Sequence, residues 1–204
     1  MRIDAHQHFW SLSRGDYGWL TPALGEIYRD FGPDDLRPLL AAHAIDRTIL
    51  VQAAPTEAET RFLLDVAART DFVAGVVGWV DFEASDTAGR IAALAADPLL
   101  VGLRPMVHDI ADDDWLTRPG LDAGFAALIG QGLVFDALLK PRHIAPMLRR
   151  LERSPGLSVV IDHAAKPDLA GGDLAHWRDG IAALARHRHV VCKLSGLVTE
   201  AGPD

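Results

Sequence analysis

The chain opens on a short apolar run that leads into Asp4-Ala5-His6-Gln7-His8. Side chains alternate across a strand, so Asp4, His6 and His8 share one face. Two imidazoles two residues apart can converge on one point, either a divalent metal or a substrate carbonyl. A histidine pair at a strand end can equally do no more than cap a loop. His163 is the sharpest companion, because it follows the strand-like Val159-Val160-Ile161. A core histidine bonded to backbone is its plainer reading. Together, His6, His8 and His163 can form a zinc site with one open position, or can donate hydrogen bonds to an oxygen. Asp162 points to the other face of a regular strand and reads as structural.

These side chains need a frame. Strand-like segments fall at 2–5, 47–52, 73–80, 100–104, 133–137, 158–162 and 190–194, several rich in Val, Ile and Leu, as strands buried on both faces are. Apolar stripes at helical spacing fill the gaps, such as Phe62, Leu63, Val66 and Ala67, or Ile144, Met147, Leu148 and Leu151. Others fall at 91–95, 121–129 and 174–185. Asp86 and Asp173 suit N-caps, and Pro141 suits a first helical turn. A weaker helix at 36–42 must take Pro38 in its first turn. The βα repeat predicts an α/β fold with a parallel sheet and helical crossovers. Seven strands point to a (β/α)8 TIM-type barrel as a single domain over 1–204, truncated after the seventh strand; such barrels usually need about 250 residues. A doubly wound open sheet competes, but the first βα connection carries His-x-His in place of a Gly-rich phosphate fingerprint.

A net charge of -8 argues against nucleic acid or an anionic membrane as partner. Cys192 is the only cysteine, which forbids an intrachain disulfide and fits a reducing compartment. The sequence has no apolar run of ~18 residues and no signal-peptide pattern, so a cytoplasmic location is expected.

In such a barrel the active site lies at the carboxyl ends of the strands. Polar residues gather there repeatedly: Gln52 on strand two, Trp79 and Asp81 on three, Arg104 with His108 and Asp109 on four. Asp136 with Lys140, Asp162-His163 with Lys166, and Lys193 with Ser195 follow on strands five to seven. Charges in a barrel mouth are costly unless paired or used, so a full ring favours a site. Lys140 and Lys166 sit beside prolines, where solvated lysine is the plain reading. His43, His176, His187 and His189 read as surface residues. The long connection at 9–33 holds Trp10, Tyr17, Trp19 and Tyr28. Their rings can stack on a sugar at a pocket mouth, or cover the barrel end as a small satellite core.

The motifs Arg2-Ile3-Asp4-Ala5-His6-Gln7-His8-Phe9-Trp10 and Asp16-Tyr17-Gly18-Trp19-Leu20 resemble the start of the sugar-lactonase branch of the amidohydrolase superfamily. Gly75-Val76-Val77-Gly78-Trp79-Val80-Asp81 resembles its third strand, and Gly102-Leu103-Arg104-Pro105-Met106-Val107-His108-Asp109 its fourth. Asp162-His163-Ala164-Ala165-Lys166-Pro167 and Lys193-Leu194-Ser195-Gly196-Leu197 resemble the sixth and seventh. The resemblance spans the chain and is strongest to the L-fuconolactonase-like members. Two departures from the superfamily matter. Strand four has no lysine to carboxylate, which argues against a binuclear centre. The essential aspartate of strand eight, in a Gly-Ser-Asp-Trp-Pro-like segment, would fall beyond residue 204.

The resemblance implies hydrolysis of an aldonolactone such as L-fuconolactone to the open-chain acid, with one divalent zinc possible and not required. It implies catalytic roles for His6, His8, His163, Arg104 and His108, with His6, His8 and His163 as ligands if a metal binds. Trp10, Tyr17, Trp19, Trp79 and Gln52 would contact substrate. A small-molecule sugar lactone is the expected partner, with a monomer or homodimer as the assembly. The alternatives are a zinc-dependent non-oxidative decarboxylase and a dicarboxylate-pyrone lactonase. Two substrate carboxylates would want several convergent arginines, and only Arg104 clearly sits at a strand end. A non-catalytic sugar-binding protein is the reading from a different class, if the chain truly ends at 204.

Overall fold

The computed structural model of the chain describes residues 1–172 and 174–202. Seven strands alternate with helices: β1 (Ile3–Gln7), α1 (Pro33–His43), β2 (Arg47–Val51), α2 (Glu57–Ala68), β3 (Val73–Gly78), α3 (Thr87–Leu94) and β4 (Leu100–Leu103). Then follow α4 (Asp122–Gln131), β5 (Val134–Ala137), α5 (Ile144–Arg153), β6 (Val159–Ile161), α6 (Ala175–Leu184) and β7 (Val190–Cys192). Sheet order follows the sequence from β1 to β7. The pairs β1–β2, β2–β3, β4–β5, β5–β6 and β6–β7 are parallel. This is the expected α/β arrangement, with six strand–helix units and a seventh strand of the eight units of a TIM-type barrel.

The chain divides into two compact units. One comprises residues 1–81 with 96–101, and the other 82–95 with the chain from Gly102 onward. In the first, Leu50, Val51, Leu63, Val76 and Val77 are buried where β2 and β3 meet α2. The connection after β1 is closed by a bridge between Trp10 and Phe31, whose amides and carbonyls exchange bonds of 3.1 and 3.0 Å. In the second unit, Phe125 packs on Phe82 and Phe135 with ring centroids 5.4 and 5.1 Å away. Gly124 permits this packing, because a Cβ there would lie 2.8 Å from the Phe82 ring.

Three local expectations need correction or fall outside view. Helix α1 starts at Pro33, so Pro38 lies in its interior and not in its first turn. Asp35 caps the start by accepting from the Gly32 amide at 2.9 Å. The turn around Pro38 is exposed, so water can take the carbonyl that proline leaves without a donor. Asp86 does occupy the N-cap position of α3, but it makes no side-chain capping bond. Its carboxylate instead accepts from Arg90 one turn later at 2.7 Å. The expected cap at Asp173 lies outside the described residues.

The strand boundaries bear directly on function. His8, Gln52, Trp79, Arg104, Asp162 and Lys193 are each the first residue beyond the carboxyl end of their strand. There the chain leaves the sheet ladder and can turn a side chain toward a ligand.

Candidate functional site

In the first unit, His6 and His8 meet at their outer nitrogens, with Nε2 atoms 3.1 Å apart and rings edge to face. The register of β1 against β2 shifts between Asp4 and Gln7, so this pairing arises on an irregular stretch of strand. His8 Nδ1 lies 2.7 Å from the Val51 carbonyl oxygen. A carbonyl only accepts, so Nδ1 carries the proton. Neutral His8 therefore presents a bare lone pair at Nε2, to which His6 Nε2–H can donate. The separation is close to the about 3.3 Å edge of a tetrahedron built on metal–nitrogen bonds of ~2.0–2.1 Å. Two converging nitrogens, one with its tautomer fixed by a backbone oxygen, fit a zinc-type ion. In this neutral form His8 accepts at Nε2 and has no proton to donate from that atom.

The aromatic residues of the 9–33 connection differ in burial. Tyr17 is only 6 % exposed and joins Leu20, Ala53 and Ala54 in a small satellite core. Trp19 stays 43 % exposed, and its indole donates to the Ala53 carbonyl at 2.8 Å. Trp10 stands edge-on to Trp19, with centroids 5.4 Å apart, and donates to the Arg29 carbonyl. Gln52 is fully buried at the end of β2, and Trp79 is half-buried with its backbone held on both sides by the Thr60 hydroxyl. Sequence reasoning missed the anchor of this region. Glu59 is fully buried and accepts from the amides of Ala53 and Ala54 at 2.9 and 2.7 Å. Burial pushes its carboxyl up to about 7 against the pull of those amides. Burial and the nearby Glu59 charge also raise the Tyr17 phenol.

In the second unit, four charged side chains form a ladder. Arg104 Nη1 donates to Asp162 at 3.2 Å, and Lys193 Nζ donates to Asp136 at 2.6 Å and forms an ion pair with Asp162 at 2.9 Å. Arg104 is only 3 % exposed and is engaged with a buried carboxylate. Asp162 belongs to the ladder, paired with both Arg104 and Lys193. Burial and the neighbouring Asp162 charge push the Asp136 carboxyl up to about 8, with Lys193 and Arg104 only partly offsetting them.

His163 follows immediately on a left-handed turn. His163, Ala164, Ala165 and Lys166 have φ of 51°, 52°, 58° and 48°, although none is glycine. Each such residue costs roughly 1–2 kcal/mol, so the turn persists only because its surroundings hold it. Lys193 O accepts from Ala164 N at 3.1 Å, and the Trp177 indole donates to Ala164 O at 2.7 Å. The His163 ring is half-buried, with Nδ1 2.9 Å from Ser195 Oγ.

His108 sits half-buried in a short turn after β4, with Nε2 2.9 Å from Asp109. Burial lowers its pKa, and the charges of Lys166, Lys140 and Arg104 lower it further against the pull of Asp109. Lys166 pairs with Glu200, so it is not a freely solvated lysine. His143 went unnoticed in the sequence. It is fully buried, and its Nδ1 accepts the Lys140 amide at 3.1 Å. His43, His176 and His189 are exposed as expected, and His187 is partly covered.

Parallel strands in βα order, with imidazoles at the carboxyl ends of β1 and β6, have the arrangement of a barrel hydrolase. The amidohydrolase family model matches residues 3–204, and the chain belongs to that family. It is 53 % identical over 202 residues to the L-fucono-1,5-lactonase of Burkholderia ambifaria, covering 99 % of this chain and 70 % of that protein. It is 40 % identical over 207 residues to the L-fucono-1,5-lactonase of Burkholderia multivorans, covering 98 % of this chain and 70 % of the relative. A solved amidohydrolase from Burkholderia multivorans with bound zinc superposes with a TM-score of 0.90 at 41 % identity, over 98 % of this chain and 72 % of that one.

Proposed function

We propose that the protein hydrolyses a sugar lactone of the L-fucono-1,5-lactone type to the open-chain acid. The observation that carries this reading is the close likeness, over nearly the whole chain, to two lactonases of that name. Residues 1–204 would belong to one catalytic domain. Water adds to the ring ester carbonyl, whose oxygen becomes an oxyanion. The ring C–O bond then breaks, leaving a carboxylic acid and a hydroxyl on one open chain. His163 and His6 would stabilise the oxyanion by donating from Nε2. Neutral His8 would accept a hydrogen bond at Nε2, from His6 or from the attacking water. The family pattern puts the aspartate that takes the water's proton at the end of an eighth strand, beyond the seven of this chain.

A zinc ion would be held by His6, His8 and His163, and it would polarise the carbonyl and acidify water. A solved relative with bound zinc supports a place for that ion. His108 would contact ring hydroxyls or the carbonyl oxygen, and Trp10, Trp19, Trp79 and Gln52 would shape the mouth. Arg104 and Tyr17 would act by supporting the residues they touch. No helix is long and apolar enough to cross a membrane among the described residues, and we place the reaction in the cytoplasm, in a monomer or homodimer with no nucleic-acid or membrane partner.

The test is a panel of aldonolactones, with acid release followed by a pH indicator, run with and without chelator. Acid from L-fucono-1,5-lactone supports the reading, and no acid from any lactone overturns it. Activity lost to chelator and regained with zinc would make the ion essential.

A further inference from the structure

We propose that Ser195 is a positioning residue for His163, its hydroxyl holding the ring by Nδ1 in either neutral tautomer so that Nε2 stays the working nitrogen. The segment after β7 holds the turn after β6 through Lys193 and Ser195. Lys193 N donates to Ile161 O at 2.9 Å, Lys193 Nζ pairs with the Asp162 carboxylate, and Lys193 O accepts from Ala164 N. Two residues on, Ser195 Oγ meets His163 Nδ1 at 2.9 Å. The next residue is shaped for this contact. Gly196 has φ of +62°, and a Cβ there would lie 2.7 Å from His163 Nδ1. A side chain at that position would push the ring away from Ser195.

The chemistry of the partner matters. A serine hydroxyl both donates and accepts, so it can serve either neutral tautomer of the imidazole. Donating to Nδ1, it leaves Nε2–H to face a developing oxyanion. Accepting from Nδ1–H, it leaves the Nε2 lone pair for a metal. His8 has no such freedom, because the Val51 carbonyl admits only the Nδ1–H form. Of these two histidines, His163 is thus the one whose partner allows it to work with or without an ion. In either state Ser195 keeps the ring plane fixed and Nε2 as the working nitrogen.

The kinetic arm of the test rests on the lactonase reading; the spectroscopic arm does not. Ser195→Ala, Ser195→Thr and Ser195→Cys are compared with wild type in L-fucono-1,5-lactone hydrolysis. The imidazole nitrogens of His163 are followed by 15N NMR in chelator-treated protein, with His163→Gln for assignment. Removing a partner that orients a histidine typically costs about 10–100-fold. Ser195→Ala should lose that much in kcat with KM within about twofold, and its His163 nitrogen shifts should move. Threonine keeps the hydroxyl and should restore both, whereas cysteine, a weak donor, should fall between. If Ser195→Ala does not fold, the threonine–cysteine contrast carries the test. Nitrogen shifts unchanged in every variant that lacks the hydroxyl overturn the proposal, even where kcat falls. A wild type inactive on all lactones would sink the lactonase reading and leave the NMR comparison to judge Ser195.

Discussion

His8 Nδ1 lies 2.7 Å from the Val51 carbonyl while its Nε2 lies 3.1 Å from His6 Nε2. The first contact determines what the second can be. With Nδ1 protonated, the outer nitrogen of His8 is an acceptor or a ligand. The pair should therefore bind zinc, and His6→Ala or His8→Ala should weaken zinc retention by at least ~10–100-fold, the scale seen on losing even an outer partner of a ligand. Zinc content after dialysis against graded chelator measures this. Retention equal to wild type in both variants would remove the pair from any metal site.

Glu59 should give the first unit a pH signature. Its folded pKa of about 7 stands above the ordinary carboxylate value of 4.5. The stabilisation from holding the proton is complete below about pH 4.5 and is lost as pH rises through about 7. The difference in urea midpoint between wild type and Glu59→Gln should thus shift against wild type across that window. A difference independent of pH would show that Glu59 titrates normally.

The ladder of Arg104, Asp162, Lys193 and Asp136 predicts strong coupling between two of its members. Lys193→Met strips Asp136 and Asp162 of a counter-charge at 2.6 and 2.9 Å. Breaking a buried pair on one side costs about 3–5 kcal/mol. Adding Asp136→Asn should recover part of that loss, giving a favourable interaction energy in a double-mutant cycle. Additive costs would mean that the two residues do not sense each other.

Arg150 is buried against Phe125, its guanidinium 4.3 Å from the ring centroid, and donates to the Leu116 and Arg118 carbonyls and to Asp122. Arg150→Ala opens a cavity and strands the Leu116 carbonyl, so a loss of about 2–4 kcal/mol is expected. Urea unfolding reads it directly, and a loss under about 0.5 kcal/mol would contradict the packing described.

The residues that were legible in the sequence were those whose placement follows from local periodicity. Apolar runs marked the strands, and the first polar residue past each run marked the candidate site, as at His8, Arg104 and Lys193. What could not be read depends on tertiary partners. Glu59 looks like an ordinary acidic residue in the first turn of a helix, and only the fold places two amides over it. Arg150 looks like a solvated helix residue until α5 meets Phe125. The left-handed turn at His163 carries no glycine or asparagine to announce it, so the contact with Ser195 had no sequence signal. Arg104 was legible as a strand-end cation, but its engagement with Asp162 was not.

The most direct measurement is acid release from L-fucono-1,5-lactone by the wild-type protein and by His163→Ala at matched folded concentration. Turnover by wild type and a fall of about 100–1000-fold in the variant are expected from losing one oxyanion-stabilising group. No turnover by wild type, or equal turnover by both proteins, would contradict the account.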